Sequence, residues 1–195
     1  MNKHMTAAVL AAAAVIAAPA HATTVALPAD GSWNEFTVDN SVAPAYGNGW
    51  IDFADGSPLS FSFTIAAGSV GTLTVVDAGF AGDTFAITNF GTVIGDTSSV
   101  PTGTIEGSSV TDFDAALANP AYSQGVFTLG AGTYSISGWL LQSVLDDTGA
   151  ALDSTYGGLR LSVSVVPEPT GAALLLGGLA ALALVARRRQ SNTSI

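Results

Sequence analysis

Between Thr23 and Val166 the chain carries no histidine, lysine or cysteine; His4 and His21 both precede Thr23. That removes serine–histidine and cysteine–histidine nucleophiles, Schiff-base lysines and the usual zinc ligand sets. Carboxylates remain. Asp52 with Asp55, Asp112 with Asp114, and Asp146 with Asp147 are pairs of the residue type that hydrolyses glycosides. Each pair sits beside Gly, Ser, Thr or Pro, in the setting of a turn. There an aspartate more often accepts hydrogen bonds from its own backbone than it catalyses. The expectation is therefore a protein that is not an enzyme, with a carboxylate glycosidase as the remote alternative.

Two further sets suit binding. Asp77 and Asp83 flank residues 78–82, where Gly79 and Gly82 give the chain freedom to wrap an ion. Calcium, which takes several oxygens from aspartates and loop carbonyls, is the cation that such a loop would hold. No EF-hand spacing is present, and the same two acids would serve equally as turn caps on an acidic surface. Tyr46 and Trp50 lie in the least regular stretch, residues 43–50, and are the best aromatic pair for stacking on a sugar ring. Trp33 is a further candidate. Trp139 follows the stretch 134–138 and reads as core.

The elements that must position these groups are strands. Leu59, Phe61, Phe63 and Ile65 alternate without a break with Ser60, Ser62 and Thr64. Leu73 and Val75, Phe85 and Ile87, Tyr134 and Ile136, and the set Leu159, Leu161, Val163 and Val165 alternate in the same way with small or polar neighbours. A period of two places each apolar set on one face of a sheet. Gly, Asp, Asn and Pro punctuate the runs at 54–58, 66–69, 129–132 and 146–149. Many short strands of this kind predict an all-β domain, an antiparallel β-sandwich of jelly-roll-like type. A short helix is expected at 112–119, with Asp112 as its N-cap and Pro120 as its stop.

Of fifteen acids only Glu168 lies outside residues 23–166, and of five cations only Arg160 lies inside, so fourteen acids face one cation and the balance is −13. Such a surface repels nucleic acid and anionic headgroups, which excludes nucleic acid as a partner. The 144 residues of this stretch suffice for one domain with its own core.

Both ends are of another kind. Lys3, an apolar run at 7–18 and the small-residue triplet Ala20-His21-Ala22 form a secretory signal peptide over residues 1–22, with Ala20 and Ala22 as the recognition positions for signal peptidase. At the other end Pro167-Glu168-Pro169 breaks the last strand, residues 170–186 are free of charge, and Arg187-Arg188-Arg189 follows, with a cytoplasmic tail at 190–195. The apolar run as a helix would measure about 25 Å, slightly under a hydrocarbon core of about 30 Å. It reads as a single C-terminal transmembrane helix whose arginines stay in the cytoplasm.

This tail resembles the sorting signal of PEP-CTERM proteins of Gram-negative bacteria, in which Pro-Glu-Pro precedes a membrane helix and an arginine cluster; the resemblance covers residues 166–189. A second stretch is similar to a segment common in that family. It comprises residues 76–87 with Gly91 and Ile94-Gly95-Asp96-Thr97-Ser98, and Ser123–Leu129 with Gly132. It departs at Asn89-Phe90-Gly91, where the family has Asn-Gly. The resemblance implies a sandwich ectodomain at 23–166 and a sorting signal at 167–189 that is processed by exosortase. It also implies an inner-membrane intermediate, then release to the cell surface or extracellular matrix. A structural or adhesive role in exopolysaccharide or biofilm follows as the expectation, with a carbohydrate-binding module as the alternative.

Overall fold

The computed structural model describes residues 22–166 and, in the tail, Gly178, Leu179, Leu182 and Ala183. The expected signal peptide apart from Ala22, the Pro167-Glu168-Pro169 motif, Arg187 to Arg189 and all but four residues of the apolar run lie outside the described residues. Among the described residues no helix is long and apolar enough to cross a membrane.

Ten strands, one α-helix and a 3-10 turn at Pro44–Tyr46 make up the domain: β1 (Thr23–Ala26), β2 (Asn34–Asp39), β3 (Leu59–Ile65), β4 (Ser69–Phe80), β5 (Thr84–Asn89), β6 (Thr92–Asp96), β7 (Ser109–Val110), α1 (Phe113–Ala118), β8 (Gln124–Leu129), β9 (Gly132–Gln142) and β10 (Ser154–Val165). They form two sheets. One has the order β1-β3-β9-β5-β6; the other runs β2-β10-β4, with β8 and β7 pairing successive parts of β4's far edge. The pairings are antiparallel except β1 with β3, which is parallel from Thr23↔Leu59 to Ala26↔Ser62. That pair departs from the all-antiparallel expectation. The intervening chain crosses to the other sheet as β2 before returning, which supplies the long connection that a parallel pair requires.

The alternating runs do what their period requires. Phe61, Phe63 and Ile65 of β3, Leu73 and Val75 of β4, Phe85 and Ile87 of β5, and Leu159 and Leu161 of β10 point inward and form one core between the sheets. Each such side chain contributes about 1.5–3 kcal/mol on burial. Trp50 joins this core from the connection between β2 and β3, stacked on Phe36 at 3.8 Å and edge-on to Phe61 at 6.4 Å. Room for its indole comes from Gly138 in mid-strand, where an added Cβ would lie 2.8 Å from the Trp50 ring. The chain returns immediately: Ile51 N–H donates to Thr37 O at 2.8 Å and Leu59 N–H to Trp50 O at 2.9 Å.

A smaller apolar cluster covers the outer side of the second sheet, where Val76, Ala116 and Tyr122 are buried with Phe113 and Trp33 against them. The helix α1 provides this cover. Asp112 accepts from Ala115 N–H at 2.7 Å as the expected N-cap. Phe113 packs where Gly158 has no side chain. Above them Arg160 binds Asp114 at 2.9 Å and lies 4.4 Å over the Trp33 ring.

Candidate functional site

Strand β2 alternates with Phe36 and Val38 inward, so Glu35, Thr37 and Asp39 face outward. The register of β10 sets Ser154 opposite Asp39 and Tyr156 opposite Thr37, which brings these side chains to the same outer face. Next to them β4 bends at Gly79, whose φ of +79° is in glycine territory. A Cβ there would stand 3.1 Å from the Tyr156 ring, so the tyrosine lies on bare backbone. Beside that bend a cleft of about 480 Å³ opens, with Glu35, Asp39 and Asp83 as its charged groups and Phe53, Phe80 and Tyr156 as aromatic ones. Among the described residues no lysine or arginine lines it. Arg160, the only cation of residues 23–166, is engaged with Asp114.

The carboxylates differ in their surroundings. Asp39 Oδ1 accepts from Ser41 N–H at 2.9 Å, Ser41 Oγ–H at 2.6 Å and Val42 N–H at 3.1 Å, and the Ser41 hydroxyl above all holds it below the ordinary carboxyl range. Asp83 is 2% exposed. Its Oδ1 accepts from Val144 N–H at 2.7 Å. Burial pushes its carboxyl up to about 6, against the opposing pull of hydrogen bonds from the Thr155 hydroxyl and Val144 N–H. Asp77 lies behind it, fully buried, with Oδ2 accepting from Gly82 N–H at 3.3 Å and Oδ1 without a hydrogen-bond partner among the described residues. Burial first, and the Asp83 charge second, push Asp77 up to about 9. Asp83 therefore ionises first and Asp77 keeps its proton at neutral pH. Burial, followed by the Glu35 charge, raises the Tyr156 phenol, which stays neutral and able to donate.

Several expected sites fall elsewhere. Trp50 is 2% exposed. It cannot stack on a sugar, because the connection that carries it folds inward over Gly138 and spends its aromatic face on Phe36. Tyr46, in a 3-10 turn at Pro44–Tyr46, remains exposed without that partner. Trp139, expected in the core, is 37% exposed because it shares the outward phase of β9 with Ser135 and Ser137. The wrapping loop expected between Asp77 and Asp83 is largely strand: β4 runs through Phe80, and Asp77 N–H bonds at 2.9 Å to the carbonyl of Ser123, the residue just before β8. Both acids are buried, and the Asp83 charge acts on Asp77. Among the described residues no group of three or more His, Cys, Asp or Glu side chains is placed to hold a metal ion.

The acid pairs considered for hydrolysis are largely engaged in turns and caps. Asp52 accepts from Ala54 N–H at 2.9 Å, and Asp55 from Ser57 N–H at 2.9 Å. Asp146 accepts from Thr148 N–H and Oγ1–H and from Ala150 N–H. Asp112 caps α1, and Asp114 is held by Arg160 and by Trp33 Nε1–H at 3.1 Å. The groups that do converge, Glu35, Asp39, Phe53 and Tyr156, were not singled out by sequence. The outward phase of β2 was the available signal for the two acids.

No family model matches the chain, and no curated protein matches it. Among solved structures the chain is similar to the crystal structure of the pre-peptidase C-terminal domain of collagenase from Bacillus anthracis. The identity is 9%, the alignment covers 75% of this chain and 99% of that one, and the TM-score is 0.37. That score is too low to carry an argument.

Proposed function

We propose that the chain is an exported envelope protein, sorted through its C-terminal PEP-CTERM signal by exosortase after signal peptidase acts at Ala22. Its jelly-roll-like sandwich serves a structural or adhesive role in exopolysaccharide at the cell surface or in the matrix. One transmembrane helix, residues 170–186, holds the intermediate in the inner membrane until the signal at Pro167-Glu168-Pro169 is processed. The observation that carries the non-catalytic part is the use made of the acids. Asp30, Asp39, Asp52, Asp55, Asp112 and Asp146 each accept a backbone N–H two or three residues on, as turn and cap formers. Carboxylates so engaged build loops that survive without disulfides, which suits an exported scaffold.

Intact-mass measurement on the surface fraction of a host that has the protease tests the sorting. The expected species begins at Thr23 and lacks Arg187 to Arg189. A surface species that retains those arginines, unchanged when the protease is deleted, overturns the sorting reading.

The second reading, a carbohydrate-binding module, is supported by the cleft between β2, β10 and the bend of β4. It moves the sugar site from Tyr46 and Trp50 to the walls formed by Phe53, Phe80 and Tyr156.

A further inference from the structure

We propose that this cleft takes an amino sugar carrying a free, protonated amine, as a unit of a partly de-N-acetylated polysaccharide. The inference rests on the reading of the chain as an exopolysaccharide-associated protein and names the sugar chemistry its cleft selects.

Charge is the first argument. Glu35, Asp39 and Asp83 all line the cleft, and no positive side chain of the domain reaches it. An anionic sugar would be repelled there. A neutral one would leave the negative potential unanswered, whereas a cation answers it inside a partly desolvated space. The second argument is shape. A volume of about 480 Å³ falls in the range of small-molecule sites, on the order of 300–1,000 Å³. A narrow slot for a single alkyl ammonium would be smaller.

Lining chemistry is the third. Phe53 is 71% exposed at the rim, a large apolar surface left to solvent by the fold. Phe53 and Tyr156 offer apolar faces to the C–H side of a pyranose, while Ser109, Thr111 and Ser154 offer hydroxyls to its hydroxyl edge. A lysine side chain would meet the carboxylates but leave the hydroxyls of Ser109 and Thr111 unmatched; that of Ser154 already donates to Asp39 Oδ2 at 3.4 Å. Glu35 is the group best placed to receive the amine. It is exposed, and among the described residues no side-chain hydrogen bond engages it, whereas Asp39 and Asp83 already hold backbone N–H groups.

Calorimetric titration of the full chain in detergent, against a β-1,4-linked glucosamine tetramer, its N-acetylated counterpart and tetralysine, tests the proposal. The glucosamine tetramer should bind about tenfold or more tighter than either comparison ligand, as expected for one charge-assisted hydrogen bond added to stacking. Glu35→Gln and Phe53→Ala should each weaken that binding severalfold without moving the melting temperature, since both side chains are exposed. Equal affinity for the acetylated tetramer, tighter binding of tetralysine, absence of binding, or indifference to both substitutions would each overturn the inference. Correct C-terminal processing together with no glucosamine binding removes this inference alone. Glucosamine binding by a protein that is never processed removes the sorting reading alone.

Discussion

Replacing Asp77 with asparagine should stabilise the domain, and by more as the pH rises. Asp77 is fully buried, and burial together with the Asp83 charge pushes its carboxyl from the ordinary 3.8 up to about 9. Below pH 3.8 the folded and unfolded chains both hold the proton and nothing is lost. Above that value the unfolded chain gains by ionising while the folded chain cannot, so stability falls until the pH reaches the folded value. Each pH unit in that window costs about 1.4 kcal/mol, and the interval from 3.8 to 7 therefore costs about 4 kcal/mol, an upper bound because water entry and relaxation soften burial. Asparagine has nearly the same shape and never ionises. Urea unfolding of the wild-type chain and Asp77→Asn at pH 4.5, 6, 7.5 and 8.5 reads the effect. The offset at pH 4.5 combines the cost of burying the amide with about 1 kcal/mol of the carboxyl's loss, since the unfolded carboxyl is already mostly ionised there; the widening from there upward measures the rest of the carboxyl's contribution. Asp83→Asn is the internal comparison, since burial raises Asp83 only to about 6 and its gap should stop widening near that pH. A gap between wild type and Asp77→Asn that is flat or narrows with pH would refute the reasoning.

Three more outcomes are expected from denaturant unfolding. Trp50→Ala removes the side chain stacked on Phe36 and should cost about 3–5 kcal/mol. Gly82→Ala should cost about 2 kcal/mol or more, because φ there is +130° and a Cβ would stand 2.8 Å from Gly103 Cα; full stability in this variant would mean that residues 101–103 yield freely. Asp112→Ala removes the acceptor of Ala115 N–H and should cost about 1 kcal/mol, with a matching loss of protection of the cluster around Tyr122 in hydrogen exchange.

The strands with strict alternation were legible from the sequence, and the reason is local. Leu59–Ile65 is bounded in the structure as its pattern predicts, and Asp112 caps the short helix as its residue type predicts. What the sequence did not convey depends on residues far apart. Trp50 looks like any loop aromatic until Gly138, in the middle of β9, is known to lie beneath it. For Trp139 the signal is present in the sequence and runs against a core place: it shares the phase of Ser135 and Ser137, opposite to Ile136 and Leu140. β2 is hard to see along the chain because Asn34-Glu35-Phe36-Thr37-Val38-Asp39 offers only two strongly apolar inward positions. Without β2 the outward acids Glu35 and Asp39 had no partners, and Phe53 and Tyr156 were left as isolated aromatics. The cleft is a product of register, and register is set across strands rather than along them.

The placement of the last strand gives the domain an uneven response to tension. β10 pairs with β4 through ten residues and with β2 through six, and Val166 N–H still bonds to Gly68 O. A load entering at Val166 runs along β10 and shears both ladders together, so the hydrogen bonds share it. A load at Thr23 first meets the short, four-residue pairing of β1 at the sheet's edge. Pulled at both ends, the molecule should pay out its first strand and keep the sandwich whole, a short extensible leader on a body that holds fast where the tail begins.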